Sequence, residues 1–477
     1  MLKKLIKIIK QFFNDITLSN RSKFYFLFLT LFFKTVINFL LLFYIAKVVN
    51  VKEFGSFTLS FVVMTIGVLL IDYGYNLHSL VLDFKHKKEV SINISSIISG
   101  KFYISFTLVI LFLPVLYFIN LEEISKKVIL ILSLSAIPNS FGNFYFSLFK
   151  AKNNYKFEAI GFFLQGAFLI ILLFLNHFFG SIDIITISLI VLFTKIIYFI
   201  YSYLKFKKEF RIIFKLSLKN AFNSYVNSFN FGIHLILGTL ILYVETLFLS
   251  YFSDMETIGY YQSGLRLIMA ASLFGAIITD GFVPEIAKNK NQKKFITARM
   301  LNLFTFLGVF YFLLLLTLMF YFKTVLTVLF SSKFELIQSY STYIILIIFC
   351  RAIGIVPGII LTSLGLQNIR AKAVSYSFLL SICLNIFLIP LYGLEGAFIS
   401  FLSTNILLNI VYFYFGFKKI NFIKLILPGV TLAIFLYGVL QFIFSEDNIL
   451  YFSISIVFNL IILIIIQINL KKKNVIN

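Results

Sequence analysis

Long apolar segments recur along almost the whole chain, and each is long enough to cross a lipid bilayer. A helix needs about 20 mostly apolar residues to span the hydrocarbon core. By that criterion the sequence predicts fourteen spanning helices. Their approximate bounds are 24–49, 55–82, 98–119, 128–149, 157–177, 183–204, 228–252, 258–283, 300–322, 341–366, 372–390, 394–416, 424–444 and 449–469. We therefore predict an all-α polytopic membrane protein with about 14 transmembrane helices.

The basic residues predict how these helices are oriented. Lys and Arg cluster in alternate connections, such as 205–227 and the C-terminal Lys471–Lys473, and are few in the others. Cytoplasmic loops of membrane proteins collect Lys and Arg in this way. We therefore expect a multi-pass protein of the cell (inner) membrane with both termini in the cytoplasm. Because these loops explain the formal net charge of +23, the bilayer is the expected partner, and nucleic acid is not.

The longest cytoplasmic connection divides the predicted helices into two sets of six. Features such as Pro138 and Pro357 recur at matching places in the two sets, which is typical of transporters built from parallel repeats. We predict two parallel six-helix bundles around a central cavity, followed by two more helices. The bounds are 1–23 for a basic amphipathic N-terminal segment, 24–204 for the first bundle, 205–227 for a cytoplasmic linker, 228–416 for the second bundle, and 417–477 for two additional helices and a basic tail.

Four cationic residues lie near the middle of predicted membrane helices, namely Lys34, Lys195, Arg266 and Arg351. A charge at bilayer depth costs at least about 2.5–3.5 kcal/mol on insertion scales, so it normally faces a cavity or a partner. We interpret the four as a cationic cavity that binds an anionic substrate, and rank Lys195 last. Two alternatives stay open: Arg266 could form a permanent ion pair with Glu245, and the two lysines could extend towards the membrane interface.

Three acidic residues are candidates for coupling transport to an ion gradient, namely Glu245, Asp72 and Asp280. A carboxylate in a membrane cavity can take up H⁺ or Na⁺ and thereby bias one conformation over another. Asp72 and Asp280 lie near the predicted cytoplasmic ends of their helices, so the alternative is that they cap helix ends or meet basic loops. Glu245 lies deeper and is the better candidate, unless Arg266 neutralises it.

The sequence lacks the residue patterns of an enzyme or of a metal protein. Cys350 and Cys383 lie in apolar segments without metal-ligand spacing. No phosphate-binding loop of the Gly-x-x-x-x-Gly-Lys-Ser/Thr type and no His-Glu-x-x-His motif is present. We therefore expect no enzymatic activity, no catalytic residue, no metal and no cofactor, apart from possible coupling to H⁺ or Na⁺.

Several short motifs resemble one family of membrane proteins. The first two predicted helices contain Glu53-Phe-Gly-Ser-Phe57 and Leu70-Ile-Asp-Tyr-Gly74, and later stretches read Ile258-Gly-Tyr-Tyr261, followed by Arg266, and Ile389-Pro-Leu-Tyr-Gly-Leu-Glu-Gly-Ala-Phe398. Their order and spacing resemble polysaccharide-biosynthesis flippases of the Wzx type. These belong to the superfamily of multidrug, oligosaccharidyl-lipid and polysaccharide exporters.

The resemblance implies a function that the residue patterns by themselves do not give. It implies two bundles around a central cavity, and movement of a polyprenyl-pyrophosphate-linked oligosaccharide from the cytoplasmic to the outer leaflet for O-antigen or capsule biosynthesis. A glycan polymerase of the same pathway would then be a possible partner. The main alternative is a drug or small-solute exporter of the same superfamily. A membrane-embedded glycan polymerase or ligase is disfavoured because the predicted outer loops are short and nearly free of Arg.

Overall fold

The protein is described by a computed structural model. It covers residues 18–80, 87–118, 121–180, 183–210, 216–280, 286 and 292–417. Within these ranges every regular element is helical. Nine segments of the described chain are long and apolar enough to cross a membrane, by length and composition. The predicted fold class, an all-α polytopic membrane protein, is confirmed. The predicted helices 424–444 and 449–469 lie outside the described residues, as does most of the N-terminal segment 1–23.

The chain forms two compact units, Met1–Leu240 and Ile241–Asn477. The helices of the first unit are α1 (Leu18–Val48), α2 (Val51–Asp72), α3 (Tyr75–Leu80), α4 (Lys87–Phe118), α5 (Glu123–Leu134), α6 (Ala136–Ala151), α7 (Lys156–Phe179), α8 (Ile184–Glu209) and α9 (Leu218–Leu240). The helices of the second unit are α10 (Val244–Phe252), α11 (Met255–Asp280), α12 (Lys293–Leu329), a 3₁₀ helix (Ser332–Tyr340), α13 (Ser341–Ser363) and α14 (Gln367–Phe417).

The division between the units falls between Leu240 and Ile241, inside the predicted seventh membrane helix, 228–252, and the predicted bundle and linker bounds stay a prediction. That helix is broken at Ile241–Tyr243, which form a turn between α9 and α10. The break matters because α9 packs against α4 of the first unit, whereas α10 packs against α14 of the second. The first part of the predicted helix therefore belongs to the N-terminal unit.

Two other breaks divide or bend helices that the apolar pattern predicts. Tyr73 and Gly74 have positive φ angles of 46° and 80° and separate α2 from α3 inside the predicted helix 55–82. Gly393 has a φ of 53° and bends α14 between the two helices predicted at 372–390 and 394–416. Glycine adopts this region without steric cost, which explains its presence at both points.

Aromatic side chains fill the interior of the N-terminal unit. Phe144, Phe146 and Phe149 of α6 and Tyr198 of α8 are fully buried and belong to one apolar cluster. Large apolar residues also cover the outside of the described helices, and Phe179 is 85% exposed. An outer surface of this kind is favourable in lipid, where apolar side chains need no polar cover. The chain is therefore a multi-pass membrane protein.

Candidate functional site

The two intramembrane lysines of the N-terminal unit lie close enough to interact. Lys34 is exposed on α1 and interacts electrostatically with Glu158 and Lys150, and Lys195 interacts with Lys34. Lys195 lies on α8 and is only 7% exposed. The helices that carry these side chains are neighbours, because α7 packs against both α1 and α8. The structure thus brings Lys34 and Lys195 into one basic cluster, together with two residues that the sequence analysis did not single out.

Lys150 and Glu158 are these two additional members of the cluster. The Nζ atom of Lys150 donates a hydrogen bond of 2.9 Å to Oε1 of Glu158. Glu158 is 6% exposed, and its Oε2 atom is buried without a hydrogen-bond partner among the described residues. In sequence both residues stand at the predicted ends of membrane helices, where charges are common. Their position near Lys34 could not be inferred from that.

Arg351 of the C-terminal unit forms a hydrogen bond to a residue of the neighbouring helix α11. It lies half-buried on α13, and its Nε atom donates a hydrogen bond of 2.7 Å to Oγ of Ser272. It also interacts electrostatically with Tyr311 and Tyr412. A hydrogen bond to Nε fixes the plane of a guanidinium group, and a fixed guanidinium can bind two oxygens of a phosphate at once.

Arg266 lies on the same helix as Ser272. It is 5% exposed, and its Nη1 atom contacts Sδ of Met269 at 3.7 Å. It also interacts electrostatically with Tyr243, in the turn before α10. Arg266 and Arg351 therefore come from two helices, α11 and α13, that pack together in the C-terminal unit.

Glu245 is fully buried in the first turn of α10. Its Oε1 atom accepts a hydrogen bond of 2.9 Å from Ser381 on α14, and Nδ2 of Asn385 donates one of 3.0 Å to the same serine. The Oε2 atom is buried without a hydrogen-bond partner among the described residues. The carboxylate thus takes one hydrogen bond from Ser381 and also interacts with Asn385.

Asp72 meets a buried partner that the sequence analysis missed. Lys101 of α4 is fully buried, and its Nζ atom lies 3.4 Å from Oδ1 of Asp72 and 2.9 Å from Oγ of Ser140. Asp72 also accepts a hydrogen bond of 3.2 Å from the backbone N–H of Asn76, across the break between α2 and α3. Asp72 therefore caps a helix end, as one alternative held, but its cationic partner lies within a helix and not in a loop.

Asp280 is the last residue of α11, and its side chain lies outside those that the structure describes. Its part in ion coupling stays a prediction. Among the described residues there is no group of three or more His, Cys, Asp and Glu side chains that could hold a metal ion.

Solved structures with the same fold are membrane transporters. A lipid II flippase, MurJ, in an inward closed conformation has a TM-score of 0.71 and 17% identity, over 95% of this chain and 100% of that chain. An inward-facing multidrug resistance transporter of the MATE family has a TM-score of 0.66 and 12% identity, over 82% of this chain and 95% of that chain. At these identities the similarity shows the fold.

Sequence comparison adds the family. The Capsular polysaccharide biosynthesis protein CapF of Staphylococcus aureus is 28% identical over 221 residues, which are 44% of this chain and 51% of that protein. The match therefore spans about half the length of that relative. Residues 21–290 match the family described as Polysaccharide biosynthesis protein. Because this second match covers more than half of the chain, the resemblance expected from the motifs is confirmed, and the chain belongs to the Polysaccharide biosynthesis protein family.

Proposed function

We propose that the protein is a flippase that moves a polyprenyl-pyrophosphate-linked oligosaccharide from the cytoplasmic to the outer leaflet during polysaccharide biosynthesis. The observation that carries the proposal is the presence of cations on helices of both units, of which Lys195, Arg266 and Arg351 are buried or half-buried and Lys34 is exposed. They are Lys34 and Lys195 in the first unit and Arg266 and Arg351 in the second. Membership of the Polysaccharide biosynthesis protein family supports a lipid-linked sugar as the proposed class of substrate.

The chemistry of the substrate explains why cations are needed at this depth. A pyrophosphate group and its sugars cannot cross hydrocarbon at a useful rate, because an exposed charge there is very costly. A polar chamber that opens to one side at a time removes this barrier while the polyprenyl tail stays in lipid. Within the C-terminal unit, Arg351, fixed by Ser272, would bind two phosphate oxygens at once.

Glu245 is the residue that we propose for ion coupling. A buried carboxylate with one unsatisfied oxygen gains most from taking up a proton or Na⁺, because burying an unpaired charge is expensive. Uptake and release of that ion would shift the equilibrium between inward-open and outward-open states. Transport in proteoliposomes should therefore respond to an imposed H⁺ or Na⁺ gradient. Flux that is insensitive to both gradients would exclude coupling.

The orientation and the cellular context are part of the same proposal. Both termini would lie in the cytoplasm of a cell whose inner membrane holds the protein, and the substrate would enter from that side. The flipped oligosaccharide would become part of a surface polysaccharide such as a capsule or O-antigen. A glycan polymerase of the same pathway would use it on the outer side.

The test removes the cations of the C-terminal unit one at a time. Arg266→Ala and Arg351→Ala should abolish export of the glycan and cause the lipid-linked intermediate to accumulate on the cytoplasmic leaflet. Lys52→Ala is the control, since Lys52 is exposed and pairs with Glu122. All variants must reach the membrane in equal amounts, as measured by immunoblotting. Normal export by both arginine variants would refute the cationic site.

A further inference from the structure

The basic cluster of the N-terminal unit contains one carboxylate, that of Glu158. It lies in the first turn of α7 and is 6% exposed. Its Oε1 atom accepts a hydrogen bond of 2.9 Å from Lys150, whereas its Oε2 atom is buried without a hydrogen-bond partner among the described residues. Leaving a buried charged acceptor unsatisfied is costly. The Oε2 atom of this carboxylate therefore takes no part in the hydrogen bond with Lys150.

One ammonium group contacts this carboxylate, and two further lysines of the same unit belong to the cluster through electrostatic interactions. Lys150 forms the ion pair, Lys34 interacts electrostatically with both Glu158 and Lys150, and Lys195 interacts with Lys34. The cluster carries more positive than negative charge, although Glu158 and Lys195 are almost completely buried. Buried charges in excess are unfavourable. The cluster is therefore suited to bind a further anion.

A second ion pair, close in sequence to Lys150, is an example of a purely structural contact in this unit. Lys152 and Glu209 lie 3.1 Å apart, and their side chains are 33% and 40% exposed. Such a pair is solvated and contributes little to stability. The alternative role of the Lys150–Glu158 pair is purely structural, namely to connect α6 with α7 across the short segment between them. That role would not require Glu158 to be buried with one unsatisfied oxygen beside Lys34.

Carboxylate and phosphate oxygens compete for the same donors. Each accepts charge-assisted hydrogen bonds from an ammonium group, so one can replace the other with little change in geometry. A diphosphate has more oxygens and more charge than a carboxylate, and it would also reach Lys34. We propose that Glu158 is a built-in counter-anion of the substrate site, which holds Lys150 while the site is empty, is displaced by the phosphates of the substrate, and returns to promote their release. This inference rests on the proposed function.

The test measures binding of inorganic pyrophosphate to the full-length protein in detergent by isothermal titration calorimetry. Glu158→Gln should bind pyrophosphate about fivefold more tightly than wild type, which is the factor expected when a competing ion pair of moderate strength is removed. Glu209→Gln removes the same charge nearby and should leave the affinity unchanged. Lys150→Met should weaken binding.

A double variant separates competition from a general effect of charge. If Glu158 competes for Lys150, then Glu158→Gln should not tighten binding in a Lys150→Met background. If its charge acts only at long range, the two effects will add, and the inference is wrong. It is also wrong if Glu158→Gln folds normally but binds pyrophosphate no more tightly than wild type does. Should that variant fail to fold, Glu158→Asp keeps the charge but shortens the side chain, and it should also bind more tightly.

The controls distinguish this inference from the proposed function. If wild-type protein does not bind pyrophosphate and the variants at Arg266 and Arg351 export glycan normally, the proposed function fails and the inference fails with it. If wild type binds pyrophosphate and Glu158→Gln matches it, only the counter-anion is refuted.

Discussion

Replacing Lys101 with methionine would remove the cation from a buried ion pair inside the N-terminal unit. The ammonium group is fully buried, 3.4 Å from Asp72 and 2.9 Å from Ser140. It also lies 5.5–5.9 Å from the centroids of the Tyr75, Phe141 and Phe144 rings. Breaking a buried pair by removing one partner typically costs about 3–5 kcal/mol, because a charge is left uncompensated. We expect Lys101→Met to lower the free energy of unfolding by that amount.

Substitution of Asp72 and substitution of Lys101 should not lower the free energy of unfolding by the same amount. After Asp72→Asn, Lys101 keeps the Ser140 hydroxyl and the three aromatic rings, and cation–π contacts stabilise a desolvated cation. After Lys101→Met, the Asp72 carboxylate keeps only the backbone N–H of Asn76 among the hydrogen bonds that the structure shows for it. We therefore expect Asp72→Asn to cost less, about 1–3 kcal/mol, as for a hydrogen bond lost at a buried group.

A double-mutant cycle measures the interaction itself. The variant Asp72→Asn/Lys101→Met leaves neither charge unpaired, so its cost should be less than the sum of the two single costs by about 2 kcal/mol. The assay is reversible unfolding of the purified protein in mixed detergent micelles. Lys52→Met serves as control, because the Lys52–Glu122 pair is exposed and worth at most about 1 kcal/mol. The reasoning would be refuted if the losses in free energy of unfolding of the two single variants simply added in the double variant. It would also be refuted if Lys101→Met were as stable as Lys52→Met.

Two further predictions concern a buried carboxylate and a close packing contact. Glu245→Gln should make transport unresponsive to H⁺ and Na⁺ gradients in a proteoliposome flux assay, while Glu256→Gln, at an exposed side chain, should respond as wild type does; an unchanged response of the first variant would contradict the assignment. A Cβ atom at Gly142 would lie 2.7 Å from the Tyr198 ring, so Gly142→Ala should lower the free energy of unfolding by about 1–3 kcal/mol. Gly238→Ala, where a Cβ meets no atom within 4 Å, should not be destabilising, and equal losses in the two variants would contradict the packing argument.

The sequence predicted the fold class because the apolar segments leave a chain like this few choices. Helix ends and breaks were harder to predict. Hydropathy averaged over a window of about 20 residues does not reveal the break at Tyr73 and Gly74, because the segments on both sides of it are apolar. The same averaging predicted that the third helix begins at residue 98, so Lys101 was expected at the membrane edge. In the structure α4 begins at Lys87, so Lys101 lies well inside the helix.

The partners of the charged residues could not be predicted in the same way. A soluble helix shows its inner face by a periodic pattern of apolar residues, but a helix surrounded by lipid and protein is apolar on all sides. The sequence therefore predicted a depth for Glu245 but not the direction of its side chain. Its hydrogen bond to Ser381 joins residues 136 positions apart, and the pair of Asp72 and Lys101 joins two helices across a break.

Among the residues that the structure describes, three carboxylates are buried, and they differ in a way that separates stability from function. Asp72 accepts hydrogen bonds from Lys101 and from the backbone of Asn76, so its charge is compensated and we expect it mainly to hold α2, α3 and α4 together. Glu158 and Glu245 each have one buried oxygen without a partner among the described residues. A fold that was selected only for stability would gain by satisfying or removing these atoms. We therefore expect that an ion arriving near one of these carboxylates changes the energy of the protein more than one arriving near Asp72.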